Sequence, residues 1–248
     1  MIEPLSRQDL EKMRKAGKVA AMVLKKLKSF IKPGSSTKDI EEFFEQEISK
    51  YPGMEAAFKG FMDYPASCCV SINEEIIHGI PSQKLIKSGD LVSVDLGIKY
   101  QGLFVDTAYT YAIGKVSSLG KRLIKATKKS LKQGISQIRV GKRVGDISSV
   151  IQKHVEKNGF SVVRRFVGHG IGRDLHLPPE VPNFGDPNCG EELLEGFVIA
   201  VEPMVSSGDF NVDVLSDGWT AKTKDNSLSA HFEHTIAITK KGPWVLTA

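Results

Sequence analysis

Two stretches of this chain follow the same pattern when one is shifted by 107 residues. The shift aligns Gly34 with Gly141, Asp39 with Asp146, Ile40 with Ile147, Phe43 with Val150, Phe44 with Ile151, Ile48 with Val155, Gly89 with Gly196, Leu91 with Val198, Val94 with Val201 and Asp95 with Glu202. A chance overlap of two amphipathic helices could produce the apolar matches, and that explanation stays open. The matched acids Asp95 and Glu202 instead indicate two related halves, about residues 1–114 and 115–248, around an approximate two-fold axis.

Helix signals come before strand signals in each half. In the first half, Ser6 followed by Asp9 predicts the start of a helix, and Pro33-Gly34 predicts its end. A second helix is expected after Thr37. The sequence therefore predicts one α+β domain over residues 1–248, in which helices back the outer face of a curved, mostly antiparallel sheet.

The composition favours a globular cytoplasmic protein. With 41% hydrophobic residues the chain can build a substantial core. It contains no apolar stretch long enough for a membrane span, and its start lacks the apolar core of a signal peptide. Cys68 and Cys69 are adjacent and Cys189 is isolated, so we expect three reduced thiols.

Lysines form two runs, at residues 25–28 and 121–132. A solvated helix face explains such runs in most proteins, and a weak attraction to an RNA surface is the other interpretation. Neither run contains the interleaved aromatic residues of a base-stacking surface. We therefore predict no sequence-specific binding of nucleic acid and no binding to membranes.

Four acids and one histidine lie in short apolar or glycine-flanked stretches that are typical of strands. They are Asp95, Asp106, His169, Glu202 and Glu233. A carboxylate in an apolar strand loses much hydration energy unless a cation or several donors hold it. Oxygen donors with one imidazole and no thiolate suit first-row divalent ions. Taken alone, Asp95 or Asp106 is better explained as an edge or turn residue that reaches water.

Asp95 and Asp106 are expected to face each other on neighbouring strands of a hairpin, with residues 98–102 as the turn. The repeat loses its register after Glu202. Glu233 lies 31 residues beyond Glu202, whereas Asp106 lies 11 beyond Asp95, so the second half has an insertion of about twenty residues.

Three histidines occupy apolar, turn-rich segments. His78 precedes Gly79, His169 lies between two glycines, and His176 follows Leu175. A lone histidine is more often a structural residue than a ligand. Three in similar settings favour a functional site.

The motifs that carry these residues together resemble type I methionine aminopeptidases, the short bacterial form of metallopeptidase family M24, which has the pita-bread fold. They are Ile77-His78-Gly79-Ile80-Pro81, the Asp95 and Asp106 pair, Gly168-His169-Gly170-Ile171-Gly172, Val201-Glu202-Pro203-Met204 and Phe232-Glu233-His234-Thr235. The resemblance spans nearly the whole chain. It implies a metal-dependent hydrolase that removes the initiator methionine from nascent proteins and peptides when the second residue is small.

The resemblance also implies a site with two divalent ions, which can be Fe, Mn, Co, Zn or Ni. Asp95 would hold one ion, His169 and Glu202 the other, and Asp106 and Glu233 would bridge both. A hydroxide shared by the ions would attack the scissile carbonyl.

Three residues take further roles by resemblance. Glu202 would accept a proton from the attacking water and pass it to the leaving amine. His176 would donate to the scissile amide, and His78 would contact the bound peptide. The free amino group of the substrate would bind the ion held by Asp95, which restricts cleavage to the terminal residue.

The methionine pocket of the family maps onto six residues, which are Phe58, Phe61, Tyr64, Cys69, Leu175 and Trp219. Many type I enzymes have cysteine where this chain has Phe58 and phenylalanine where it has Leu175, so the shape of the pocket differs here. Core packing is an alternative role for both residues. Lys222 and Lys224 match basic residues proposed to touch the ribosome transiently, and a monomer is expected.

Two other functions stay open. A prolidase or Xaa-Pro aminopeptidase shares the fold and all five ligand types, but such chains usually add an N-terminal domain that this sequence does not contain. A catalytically inactive pita-bread protein that only binds peptides is the other alternative. Such relatives lose ligands, whereas this sequence keeps every one.

Overall fold

The structure, a computed structural model, describes residues 4–248. The helices are α1 (Arg7–Phe30), α2 (Thr37–Ile48), α3 (Ser118–Gln137) and α4 (Val144–Lys157), with a 3-10 turn at Phe61–Asp63. The strands are β1 (Met54–Ala56), β2 (Cys69–Ile72), β3 (Glu75–Ile77), β4 (Leu91–Tyr100), β5 (Leu103–Ala112), β6 (Ser161–Val162), β7 (Gly168–Gly170), β8 (Leu177–Val181), β9 (Val198–Val201), β10 (Met204–Ser206), β11 (Val212–Val214), β12 (Ala221–Thr223), β13 (Ser229–His231), β14 (His234–Thr239) and β15 (Gly242–Val245). Among these residues, no helix is long and apolar enough to cross a membrane.

The same local structures recur 107 residues apart. Asp39 accepts a hydrogen bond from the backbone N–H of Ser36 at the start of α2, and Asp146 accepts one from Arg143 at the start of α4. Each of these chain segments also forms an isolated bridge, Ser36 with Leu85 and Arg143 with Glu192.

Two loop glycines that are 107 residues apart also share a backbone conformation. Gly34 has a φ of 94° and Gly141 has a φ of 84°, a left-handed conformation that glycine adopts without a Cβ clash. The paired helices, bridges and turns confirm the expected pseudo-two-fold arrangement. The division of the chain near residue 114 stays a prediction.

All strand pairings are antiparallel, as predicted. β4 pairs with β5 along one edge and with β1 and β2 along the other. In the second half, the order of the largest sheet is β15-β14-β9-β7-β8. The expected hairpin turn was too long, because β4 continues to Tyr100 and only Gln101 and Gly102 connect it to β5, with φ values of 50° and 75°.

The two halves join where β5 runs beside the segment that connects β13 to β14. Thr235 Oγ1 accepts from the backbone N–H of Asp106 at 2.9 Å, and the hydroxyl of Thr107 donates to the carbonyl of Glu233 at 2.9 Å. The N–H of Glu233 donates to the carbonyl of Ala108 at 3.0 Å. These hydrogen bonds place one acid from each half side by side.

The helices pack on the outer side of these strands. α1 and α2 share one apolar core with β4, and α3 and α4 share a second core with β9 and β14. Large side chains at the centres of these cores, such as Phe44, Leu96 and Leu123, are at most 1% exposed. Both cores therefore support, from the outer side, the strands that carry the acids.

We predict that Gly17→Ala lowers the free energy of unfolding by about 1–3 kcal/mol, the usual range for an overpacked core. A Cβ at Gly17 would lie 2.1 Å from the carbonyl oxygen of Leu246, which belongs to backbone and cannot rotate away. Urea denaturation gives the change.

The matched control is Gly120→Ala in α3, where the nearest atom to the new Cβ is Leu91 Cδ2 at 3.3 Å. Alanine favours helix by up to about 1 kcal/mol, so this variant should lose no stability. Equal destabilisation of both variants would contradict the close approach at Gly17.

Candidate metal centre

A cavity of about 460 Å³ opens on the inner face of the sheet. It is lined by all of the side chains that the sequence marked as candidate site residues, namely Phe58, Phe61, Tyr64, Cys69, His78, Asp95, Asp106, His169, Leu175, His176, Glu202, Trp219 and Glu233. These residues come from both halves of the chain. The fold therefore brings together residues that are as much as 175 positions apart, from Phe58 to Glu233.

Five of them form the polar end of the cavity. Asp95 lies on β4, Asp106 on β5 and His169 on β7, while Glu202 follows β9 and Glu233 precedes β14. Asp95 and Asp106 point to the same face because Asp95 is paired with Ala108, two residues beyond Asp106.

The ligand atoms fall into overlapping groups. One oxygen each from Asp95, Asp106 and Glu233 lie within 4.8 Å of one another. A nitrogen of His169 and oxygens of Glu202 and Glu233 form a second group under the same limit. Glu233 belongs to both, so two cations held by these groups would be neighbours.

Burial disfavours the ionised form of these carboxyl groups. It raises the pKa of Asp106 to about 7 and that of Glu202 to about 8. Burial also raises the pKa values of Asp95 and Glu233 well above their usual range, and the negative charge of Asp106 adds to the rise in both. Four carboxylates so close together cannot all be ionised without positive charge between them.

Several oxygens at this site lack any hydrogen-bond partner within residues 4–248. They include Oδ1 of Asp95, Oδ1 of Asp106 and Oε1 of Glu233, all buried. Native proteins rarely leave buried acceptors unsatisfied unless an ion or water supplies the missing contact. The donor set therefore fits divalent cations of the first transition row.

His169 is prepared to be a neutral ligand. Burial lowers its pKa to about 3, so the ring carries no charge at neutral pH. Its Nδ1 lies 2.9 Å from the carbonyl oxygen of Gly170, which accepts the Nδ1 proton. The lone pair of Nε2 then faces Glu202, whose Oε1 is 3.6 Å away.

Two further histidines flank the carboxylates. The ring of His176 packs edge-on against Phe61 and lies 4.1 Å from the ring of His169, measured between centroids. The ring of His78 packs against Phe166 and Trp219, and burial lowers its pKa to about 4. Both rings are neutral at pH 7, so each can donate one N–H and accept at the other nitrogen.

The other end of the cavity is apolar. The rings of Tyr64 and Trp219 meet edge to face with centroids 5.0 Å apart. The Tyr64 hydroxyl donates a hydrogen bond to the carbonyl of Gly79 at 3.1 Å. Leu175 is only 2% exposed and Phe58 8%, so both belong to the core as well as to the cavity wall.

Trp219 is held by its own loop. The carboxylate of Asp217 accepts from the backbone N–H groups of Trp219 and Thr220, at 2.9 and 2.8 Å. The inserted segment of the second half thus contributes part of the cavity wall. Trp219 therefore has a role beyond core packing.

The sequence reasoning missed His231. Its ring is 1% exposed, and its Nε2 lies 3.6 Å from Oε2 of Glu202. His231 precedes Glu233 by two residues, and side chains two apart on a strand share a face, so this signal was available. Phe166, which also lines the cavity, follows two arginines and had no such signal.

Comparisons of the sequence and of the structure with known proteins point to the same family. The model of metallopeptidase family M24 matches residues 11–240. A methionine aminopeptidase from Clostridium perfringens is 46% identical over 100% of this chain and 99% of its own length. A crystal structure of methionine aminopeptidase from Thermotoga maritima superimposes with a TM-score of 0.98 at 46% identity, covering 100% of this chain and 99% of that one.

A more distant likeness concerns the fold alone. The prolidase from Pyrococcus horikoshii superimposes with a TM-score of 0.77 at 22% identity. The match covers 99% of this chain but 63% of the prolidase.

We predict that the cation-free protein loses thermal stability as the pH rises from 6.5 to about 8.5. Unfolded carboxyls lose their protons near pH 4, whereas Asp106 and Glu202 keep theirs to about 7 and 8, so their stabilising effect is lost in this window. The lowered pKa values of His169 and His231, about 3 and 4, act in the opposite direction but only below pH 6.5.

Melting temperatures measured in EDTA and in MnCl2 test this. Manganese should raise the melting temperature more at pH 8 than at pH 6.5, and Asp106→Asn should flatten the decline seen in EDTA. Identical pH profiles with and without manganese would contradict a cation site at these carboxylates.

Proposed function

This chain belongs to metallopeptidase family M24, as a methionine aminopeptidase, and we propose that two divalent ions at the five buried ligands serve its reaction. The enzyme is an exopeptidase hydrolase that removes the initiator methionine from proteins and peptides. Its identity of about 45% to methionine aminopeptidases over the full length favours this activity over those of prolidases, which share only the fold.

The observation that carries the two-ion proposal is the pair of ligand groups that share Glu233. In the proposed site Asp95 would hold one ion, His169 and Glu202 would hold the other, and Asp106 and Glu233 would contribute to both. Divalent ions bound there would lower the pKa of a water molecule and polarise the scissile carbonyl. Fe, Mn, Co, Zn and Ni all suit these donors.

Glu202 is the proposed proton carrier. It is 8% exposed, and its carboxylate lies in the same ligand group as His169 and Glu233. It would take a proton from the attacking water and deliver it to the leaving amine. The carbonyl of Glu202 accepts from the side-chain amide of Asn183 at 3.0 Å, which fixes the backbone at this position.

The two flanking histidines are proposed to bind the peptide. His176 is exposed at the cavity mouth next to His169, where its N–H can donate to the scissile amide. His78 lies across the cavity beside Trp219, where it can contact the peptide backbone. Donors placed in this way stabilise charge that develops on the carbonyl during attack.

The apolar end of the cavity is the proposed methionine pocket. An unbranched thioether side chain packs well against aromatic edges and sulfur. Phe58, Phe61, Tyr64, Cys69, Leu175 and Trp219 supply such a surface.

Several finer features are proposals of the same kind. The complete cavity comes from one chain, which suits a monomer. Cys68, Cys69 and Cys189 are free thiols, which suits the cytoplasm, where nascent chains are the substrates. Lys224 is exposed next to Lys222 on the β12 segment, where a transient contact with the ribosome would be electrostatic.

We predict that Glu202→Gln lowers kcat by about 100-fold or more, because proton transfer is lost. The control is Glu180→Gln, which removes an exposed carboxylate from the wall of the same cavity. Hydrolysis of Met-Ala-Ser gives the rates, and elemental analysis of each protein separates lost chemistry from lost metal. Wild-type turnover in Glu202→Gln would exclude Glu202 from proton transfer.

We also predict fast release of methionine before Ala, Gly, Ser, Thr, Pro, Val or Cys and slow release before Lys or Phe. The methionine side chain would fill the apolar end of the cavity, so the second residue would lie beside His176 and the carboxylates, where a long or bulky side chain would meet these groups. Competition assays with Met-Ala-Ser, Met-Lys-Ser and Ala-Pro peptides measure the preference. Equal rates before Ala and Lys would refute the size limit, and cleavage of Ala-Pro alone would indicate a prolidase-like specificity.

A further inference from the structure

A second large concavity lies on the outer face of the molecule, between α1 and α3. Both helices pack on β5 and leave a groove of about 740 Å³ between them. Thr107, Ala108 and Tyr109 of β5 line its floor together with Phe232 and His234. The floor is thus the reverse side of the backbone that carries Asp106 and Glu233, and the groove is separate from the active site.

The walls of this groove are related by the 107-residue repeat. Leu24 and Leu131 are equivalent positions on α1 and α3, and so are Lys25 and Lys132. All four line the groove. The pseudo-two-fold axis therefore places an apolar residue and an ammonium group on each wall.

Two more lysines complete the rims. Lys28 lies one helical turn from Lys25 on α1, and Lys128 lies one turn from Lys132 on α3. All four lysines are exposed, and none takes part in any ion pair among residues 4–248. The structure thus brings lysines of both runs to the two walls of one groove, where none is paired with an acid. Lys128 donates to the hydroxyl of Tyr109 at 3.2 Å.

The groove between these rows is apolar. Tyr109 meets Phe232 edge to face with ring centroids 4.9 Å apart, and Ala21 and Ile135 are only partly buried on the walls. Two acidic groups line the groove, the side chain of Glu233 and the terminal carboxylate of Ala248. Glu233 is 2% exposed and its carboxylate belongs to the cation site, and among residues 4–248 neither group forms an ion pair with a lysine. No acid of the rim therefore neutralises the lysines.

We propose that this groove docks an acidic amphipathic helix of a partner protein. The apolar face of such a helix would fill the space between α1 and α3, and acids on both of its flanks would meet the two lysine rows. Charges on both walls, repeated at the spacing of one turn, match a helix with acids on each side. An anionic lipid with a single head group would satisfy one of these positions only.

Binding of a synthetic peptide tests the proposal. The probe is a fluorescein-labelled helix of about 18 residues with leucines on one face and glutamates on both flanks, measured by fluorescence anisotropy with the full chain. A peptide of the same composition in scrambled order controls for net charge. Saturable binding of the probe at least about tenfold tighter than the scrambled peptide is expected.

Protein variants locate the binding. Lys25→Glu/Lys132→Glu reverses one charge on each wall and should weaken the probe at least about tenfold. Lys129→Glu/Lys153→Glu removes the same charge from exposed lysines outside the groove and should leave affinity within about twofold. Ala21→Phe keeps the charge but fills the groove, and it should also weaken binding.

All variants should keep their circular dichroism and hydrolyse Met-Ala-Ser at wild-type rates, because none of the substituted residues lines the active-site cavity. Equal loss of binding in both charge variants would reduce the effect to general surface charge and overturn the proposal. Saturable binding of oleate without saturable binding of the probe would also overturn it, in favour of a lipid site.

Discussion

The hydrogen bonds between β5 and the segment that precedes β14 decide what this molecule can do. They tie Asp106 to Thr235 and Glu233 to Ala108, so that an acid from each half is forced to the same place on the axis. These hydrogen bonds fix the backbone of both acids, and their carboxylates then lie close enough to repel each other unless a cation lies between them. The four carboxylates therefore need positive charge beside them to be ionised together. Their raised pKa values have the same origin, because without cations a proton is retained instead.

Much of this was predictable from the sequence, because the repeat and the motifs are local features. Capping acids and left-handed glycines at a constant spacing follow backbone rules that a single sequence displays. Every site residue that the resemblance implied lies on the cavity wall, although the wall also includes residues that were not predicted, such as Phe166. Hairpin length was less predictable. Ile98, Lys99 and Tyr100 can extend a strand or enter a turn, and pairing with Met54–Ala56 of β1 selects the strand.

What could not be predicted depends on tertiary placement. His231 gave a weak signal because its importance comes from its distance to Glu202, which is 29 residues away in sequence. The lysine runs looked like ordinary solvated helix faces, and each is one when taken alone. Only the packing of α1 and α3 on the same strand turns them toward each other across an apolar floor.

The molecule thus has two sites of opposite charge, with acids in the inner cavity and lysines along the outer groove. The outer cations do not balance the inner anions. Exposed ammonium groups are hydrated and screened within about 8 Å at physiological ionic strength, and burial, not lysine, comes first among the causes that set each carboxylate pKa. Compensation of the acids must therefore come from ions inside the cavity. The lysines do not neutralise the buried carboxylates and are not paired with any acid of the rim. They can therefore bind an anionic partner on the opposite side of the sheet.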